Sequence, residues 1–273
     1  MLTLRLLFKT IVSVASLGFC VSAYAETQVF QAVKDNTLFE DSHDFSSGGS
    51  SFVFTAQIAS GSPRRALWQF DLSSIPPGSQ VASASLRFVI NRAAFASATT
   101  DQLRLHTLSA SWGEGTSDGG TGGGGAQATA NDATWAYRFY GDPSTGLARI
   151  PWLSLGGDFN PNPSASLNAG PTGTYTFASS PGLKSDVTAW INNPATNFGW
   201  ILIGPEGPND SQKAKRIISR ESPSIADRPT LTVEFTPPAA ATSVPLLTHL
   251  GSLLFASLLS FLGLYLSRRL LQR

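Results

Sequence analysis

Three histidines, His43, His106 and His249, are the first candidates for acid/base or metal chemistry in this 273-residue chain. None has a histidine or cysteine partner at metal-ligand spacing, and no Gly-x-Ser-x-Gly elbow is present. Zinc and a serine nucleophile therefore find no support in the sequence. Carboxylates are denser. Asp35, Glu40, Asp41 and Asp44 fall within ten residues of one another, and hard oxygen ligands at that density suit calcium even without EF-hand spacing. The ordinary reading of such a run is a solvated acidic loop, so no cofactor is expected, with calcium the one possibility. Glu114, Asp158 and Glu221 are the groups a glycan-cleaving enzyme would use as an acid/base pair, a device that works only at defined carboxyl separations.

Six tryptophans form the second chemically suggestive set: Trp68, Trp112, Trp135, Trp152, Trp190 and Trp200. Indole rings fill cores, and they also stack on the apolar faces of sugars while nearby polar groups bond the hydroxyls. Trp68, Trp190 and Trp200 sit in periodic segments and are expected in the core. Trp112, Trp135 and Trp152 lie in or beside long loops and, with Glu114 and Asp158, are the candidates to face a ligand, burial being the competing reading for each ring.

The elements that must position these groups are strands. In 81–91, Ala82, Ala84, Leu86, Phe88 and Ile90 alternate with Ser83, Ser85 and Arg87, a period of two that a half-buried strand satisfies. Similar runs occur at 51–58, 65–71, 103–108, 134–140, 173–177, 199–203 and 230–236. Pro/Gly/Asn turn clusters separate them, such as Pro76-Pro77-Gly78 and Gly204-Pro205-Glu206-Gly207. This pattern predicts an all-β, jelly-roll-like β-sandwich. One segment has helical period, with Leu183, Val187, Trp190 and Ile191 on one face, Ser185 as the expected cap and Pro194 as the stop. It predicts one short helix covering an end of the sandwich. The glycine-rich stretch 113–132 has almost no apolar side chains and reads as a mobile loop; no Gly-Lys-Ser/Thr follows it, which argues against a phosphate cradle.

The ends of the chain carry an address. Arg5 and Lys9 precede an apolar run and then Ala23-Tyr24-Ala25, the pattern of a signal peptide over 1–25. Residues 26–236 form the expected domain, 237–243 a Pro/Ala linker, and 244–273 an apolar transmembrane helix closed by Arg268, Arg269 and Arg273. Basic residues stay cytoplasmic, so the domain is expected outside and anchored by its C-terminus. The only cysteine, Cys20, lies in the export segment, which leaves the domain without disulfides. The domain holds 14 basic against 18 acidic residues, a net charge of −4. Its one basic cluster, Lys213-Ala214-Lys215-Arg216, reads as a solvated loop, so nucleic acid is not an expected partner.

Two resemblances follow. The run 65–78, RALWQFDLSSIPPG, resembles the opening of the DNRLRE domain family of exported proteins. Trp112-Gly113-Glu114-Gly115, Ala133-Thr134-Trp135, Gly156-Gly157-Asp158-Phe159, Asp186-Val187-Thr188-Ala189-Trp190, Asn197-Phe198-Gly199-Trp200, Ser219-Arg220-Glu221 and Arg228-Pro229-Thr230-Leu231 resemble that family's landmarks in order. The resemblance implies a jelly-roll sandwich on surface or secreted proteins with polysaccharide-related partners, and it carries no reaction with it. The tail resembles the IPTL-CTERM class of sorting signals through Val244, Pro245, Leu247, Gly251, Arg268 and Arg269, and departs from it at Leu246, His249 and Leu250. That resemblance implies processing by an exosortase-type enzyme. The sequence therefore leads to the expectation of a non-catalytic surface or matrix module that binds polysaccharide or packs in the cell envelope. The alternative is a polysaccharide-degrading enzyme.

Overall fold

A computed structural model of the protein describes residues 24–94, 100–142, 145–239 and 256–260. Within the compact unit Ala23–Pro238 the chain is all-β. Its strands are β1 (Glu26–Phe39), β2 (Phe45–Ser46), β3 (Phe52–Gln57), β4 (Pro63–Phe70), β5 (Gln80–Ala93), β6 (Asp101–Thr107) and β7 (Ala126–Gln127). They continue with β8 (Tyr137–Phe139), β9 (Ile150–Pro151), β10 (Ala165–Ala169), β11 (Gly173–Phe177), β12 (Trp200–Ile203), β13 (Lys215–Ile218) and β14 (Thr230–Thr236). Among the described residues of this unit the one α-helix is α1 (Pro181–Asn192).

The alternation read at 81–91 becomes β5, which buries Ala84, Leu86, Phe88 and Ile90. Ala82 departs from it and is exposed, because the pairing with β14 passes from Ser83↔Glu234 to Val81↔Phe235 and skips that residue. A bulge of this kind inverts the parity of the strand beyond it. The main path of pairings runs β1-β14-β5-β13-β3-β4-β12-β6-β10, with β11 also on β5. It closes on itself because β1 pairs with β14 through its first half and with β4 through its second. β1 changes partner between Gln31 and Ala32, and the new register slips at Val33.

The main core lies among these strands and α1. It gathers Trp68 and Phe70 of β4, Leu86 and Phe88 of β5, Trp200 and Leu202 of β12, Val233 and Phe235 of β14, and Leu183, Val187, Trp190 and Ile191 of α1. The helix buries the four residues its periodicity predicts. Its cap is Ser180, whose hydroxyl accepts from the Leu183 N–H at 3.1 Å, whereas Ser185 lies inside the helix. Pro181 at the first helical position lacks a donor that the turn would otherwise leave unpaired, which favours the earlier start.

A second apolar cluster joins Leu67, Ile201 and Ile203, which alternate with the core residues of β4 and β12, to Leu38, Leu108, Trp112, Ala133, Trp135 and Trp152. The segment following β6 thus lies over these two strands, and all four residues of β12 are buried. Most of 134–140 serves this cover and is not strand; only Tyr137–Phe139 pairs, with β9. The glycine-rich stretch is anchored. It contains β7, paired to β2, and Arg64 Nε donates to Gly123 O at 3.0 Å. Lys213 to Arg216 is not a solvated loop either. Lys215 is fully buried in β13, with its Nζ 2.9 Å from Asp101 Oδ2 while Lys213 reaches Asp101 Oδ1 at 3.1 Å.

The second compact unit comprises Met1–Ser22 and Ala239–Arg273. Its described helical part is 256–260, where Ser260 donates to Ala256 O. Among the described residues no helix is long and apolar enough to cross a membrane. The expected export segment up to Ala23, and Val244, Pro245, Leu247, Gly251, Arg268 and Arg269 of the tail, lie outside the described residues.

Candidate functional site

The partner change in β1 places Asp35, Asn36 and Thr37 side by side in the interior, all fully buried. Consecutive buried polar residues need partners, and two distant segments supply them. The first is Trp112-Gly113-Glu114-Gly115. A Cβ on Gly113 would lie 1.9 Å from Asn131 O, and one on Gly115, whose φ is +69°, would meet Asp132 Oδ1 at 1.7 Å. Both glycines let the backbone pass close enough for Glu114 to reach β1. The second segment is Ser219-Arg220-Glu221, which follows β13. Ser219 Oγ donates to Ser50 O at 2.6 Å, and the Arg220 N–H donates to Asp35 Oδ2 at 2.6 Å.

The result is one charged constellation. Glu114 Oε1 accepts from the Asp35 N–H at 2.8 Å. Arg220 holds Glu114 through two bonds, Nε to Oε1 at 2.5 Å and Nη2 to Oε2 at 2.7 Å, and its Nε also lies 2.8 Å from Glu221 Oε1. Lys34 stands beside it, its Nζ donating to Trp112 O at 3.2 Å and lying 5.4 Å from the centre of the Trp112 ring. Burial pushes the Asp35 carboxyl well above the ordinary carboxylate range, and the neighbouring Glu221 charge adds to the shift. Burial likewise raises Glu221, against the pull of Arg220. Lys34 is lowered by burial, partly offset by Glu114.

Arg220 is the counter-charge that lets these acids coexist. Arg220→Ala is expected to destabilise the domain by about 2–3 kcal/mol in urea unfolding. That is below the ~3–5 kcal/mol for breaking a fully buried pair, because its side chain keeps 35% exposure. A loss under about 0.5 kcal/mol would show that the acids need no guanidinium.

The remaining residues singled out by sequence go elsewhere. Asp41 pairs with Arg64 at 2.9 Å and Asp44 with Arg149 at 3.7 Å, while the Glu40 N–H donates to Pro63 O. Among the described residues the group able to share a cation is Asp35, Glu114 and Glu221, so Asp35 leaves its sequence neighbours for two distant ones. Asp158 accepts from the backbone N–H groups of Leu153 and Ser154 at 2.9 and 2.8 Å. It closes that turn and is not grouped with Glu114 or Glu221. Trp112, Trp135 and Trp152, the candidates to face a ligand, are buried. Trp112 Nε1 donates to Phe198 O at 2.9 Å and Trp152 Nε1 to Thr134 O at 2.8 Å, and Arg65 lies over Trp135. Their rings are consumed in covering β4 and β12.

A surface feature the sequence did not advertise lies on the same side of these strands. A shallow groove of about 420 Å³ is lined by Arg65, Arg104, His106, Phe159, Pro161, Pro163, Ile203 and Glu206. Arg65 is held by Glu206 at 2.7 Å, and His106 packs edge-on against Phe159. His106 Nδ1 lies 2.8 Å from Asn160 O, and burial lowers the histidine's pKa despite that bond. Arg104 makes no ion pair among the described residues. Arg65 of β4 lies 94 to 98 residues from Phe159, Pro161 and Pro163 of the loop, and Arg104 and His106 alternate within β6, so only the strand pairing brings them together.

No protein-family model matches this sequence, and no curated protein matches it significantly.

Proposed function

We propose that the chain is an exported, non-catalytic surface or matrix module, a jelly-roll-like β-sandwich of the kind its DNRLRE-like motifs imply, that binds polysaccharide through the Arg104 groove. The observation that carries this reading is the unpaired Arg104 guanidinium beside Phe159 and His106 in an open, shallow depression. An aromatic ring against a sugar face with charged donors at its rim is the chemistry of glycan recognition. The tryptophans first suggested for that task are occupied inside. Packing in the envelope is the coarser form of the same reading, and the membrane anchor and exosortase-type processing of the tail belong to this proposal.

The enzymatic alternative draws on Glu114, Asp158 and Glu221. Asp158 is committed to a backbone turn and both Glu114 oxygens to Arg220, which favours the non-catalytic reading. The test is a glycan array followed by titration of a binding glycan. Arg104→Ala is expected to weaken binding by roughly tenfold or more, the ~1.5 kcal/mol of one charged hydrogen bond, with the melting temperature unchanged. Binding that ignores Arg104→Ala and Phe159→Ala would move the site elsewhere; a silent array would leave envelope packing.

A further inference from the structure

We propose that Asp35, Glu114 and Glu221 form a calcium site that ties β1 to the 112–115 segment and to the chain after β13. Each residue offers an oxygen, and the three atoms lie within 4.8 Å of one another. Calcium binds oxygens at about 2.3–2.6 Å, so ligands on one ion stand no farther apart than roughly twice that. The donor set contains oxygen only, which selects a hard cation over zinc or copper.

The independent observation is an unmet need for positive charge. Asp35 is fully buried, yet no N–H or O–H donor reaches its Oδ1 or Glu221 Oε2, and the two carboxyls are within hydrogen-bonding range of each other. Buried carboxylate oxygens without partners are costly, and two negative groups at this range repel. The cations at hand do not reach them. Arg220 is spent on Glu114 and on the other oxygen of Glu221, and Lys34 Nζ is bonded to Trp112 O. The backbone N–H of Arg220 serves Asp35 Oδ2. A divalent ion against Asp35 Oδ1 and Glu221 Oε2 would satisfy both atoms, with water or backbone carbonyls completing the shell and Glu114 as third ligand, since its Oε2 accepts a single bond, from Arg220, and keeps a second lone pair.

The experiment uses the full chain, stripped with EDTA and titrated with calcium or terbium at neutral pH. Calcium is expected to raise the melting temperature by several degrees at millimolar concentration, as binding to the folded state alone requires. Terbium luminescence sensitised by Trp112 is expected to appear and to be displaced by calcium. Asp35→Asn and Glu221→Gln are each expected to weaken terbium binding at least tenfold. If either variant fails to fold, the wild-type response to EDTA and calcium still decides. No thermal response and no luminescence from the folded wild type would overturn the site. So would stabilisation on acidification in EDTA, abolished by Asp35→Asn and indifferent to calcium. Carboxyls with raised pKa give stability that is lost as the pH rises, and that result would mean the two acids share a proton.

Discussion

Asn36→Ala lowers the unfolding free energy by about 4 kcal/mol, the largest effect expected of any single polar substitution in this domain. The side chain is fully buried and joins three segments. Its Oδ1 accepts from the Thr37 N–H at 2.6 Å, from Ser46 Oγ at 2.9 Å and from the Ser47 N–H at 3.0 Å. Its Nδ2 donates to Glu114 O at 2.8 Å and more weakly to Ala133 O at 3.4 Å. Alanine would leave up to three donors and two carbonyls without the amide in the interior, each costing about 1–3 kcal/mol where nothing replaces it, with water relieving part of the sum. Urea unfolding of the two proteins measures the difference. Asn36→Asp separates the two halves of the argument, since it keeps the acceptor, loses the donor and adds a negative charge next to Asp35. It should therefore be at least as damaging at neutral pH. A cost below about 1 kcal/mol for the alanine variant would mean that solvent replaces the amide and that Asn36 is no hub.

How much of this was legible in the sequence follows from how local the signal was. The β5 alternation and the apolar stripe of α1 are written in neighbouring residues, and both formed, the first from Ala84 to Ile90 with Ala82 lost to a bulge set by β14. β1 was not anticipated because Lys34, Asp35, Asn36 and Thr37 show no alternation. Their burial follows from a strand that exchanges one partner for another. β13 was hidden by Lys215, whose place inside the fold depends on Asp101, 114 residues away. The acids behave alike: the Asp35 to Asp44 run suggested a local calcium loop, yet the fold selects Asp35 alone and pairs it with Glu114 and Glu221 from segments distant in sequence. Ser219-Arg220-Glu221 and Trp112-Gly113-Glu114-Gly115 stood out as motifs. That they meet at Asp35 is a product of the β1 crossing, which no local pattern encodes.

The same distinction governs Trp112→Ala, for which we expect a loss of about 3–5 kcal/mol of stability, the range for emptying a large aromatic from a packed interior. Trp112 keeps 1% of its surface accessible. Removing it opens a cavity against Leu67 and Ile201, the outward residues of β4 and β12, strips Lys34 of the ring beneath its ammonium, and leaves Phe198 O without its indole donor. Trp112→Phe refills most of the volume but not the hydrogen bond, so it should recover more than half of the loss. The variants are best read in one pair of experiments, chemical denaturation and glycan titration, beside Arg104→Ala. A ring that stacks on a sugar loses affinity on truncation while the fold stands. A ring that seals the outer face of a strand pair loses stability first, and affinity only as the folded fraction falls. Trp112→Ala should show the second pattern and Arg104→Ala the first. An exchange of those patterns would place the ligand on the tryptophan and reduce the groove to a surface irregularity.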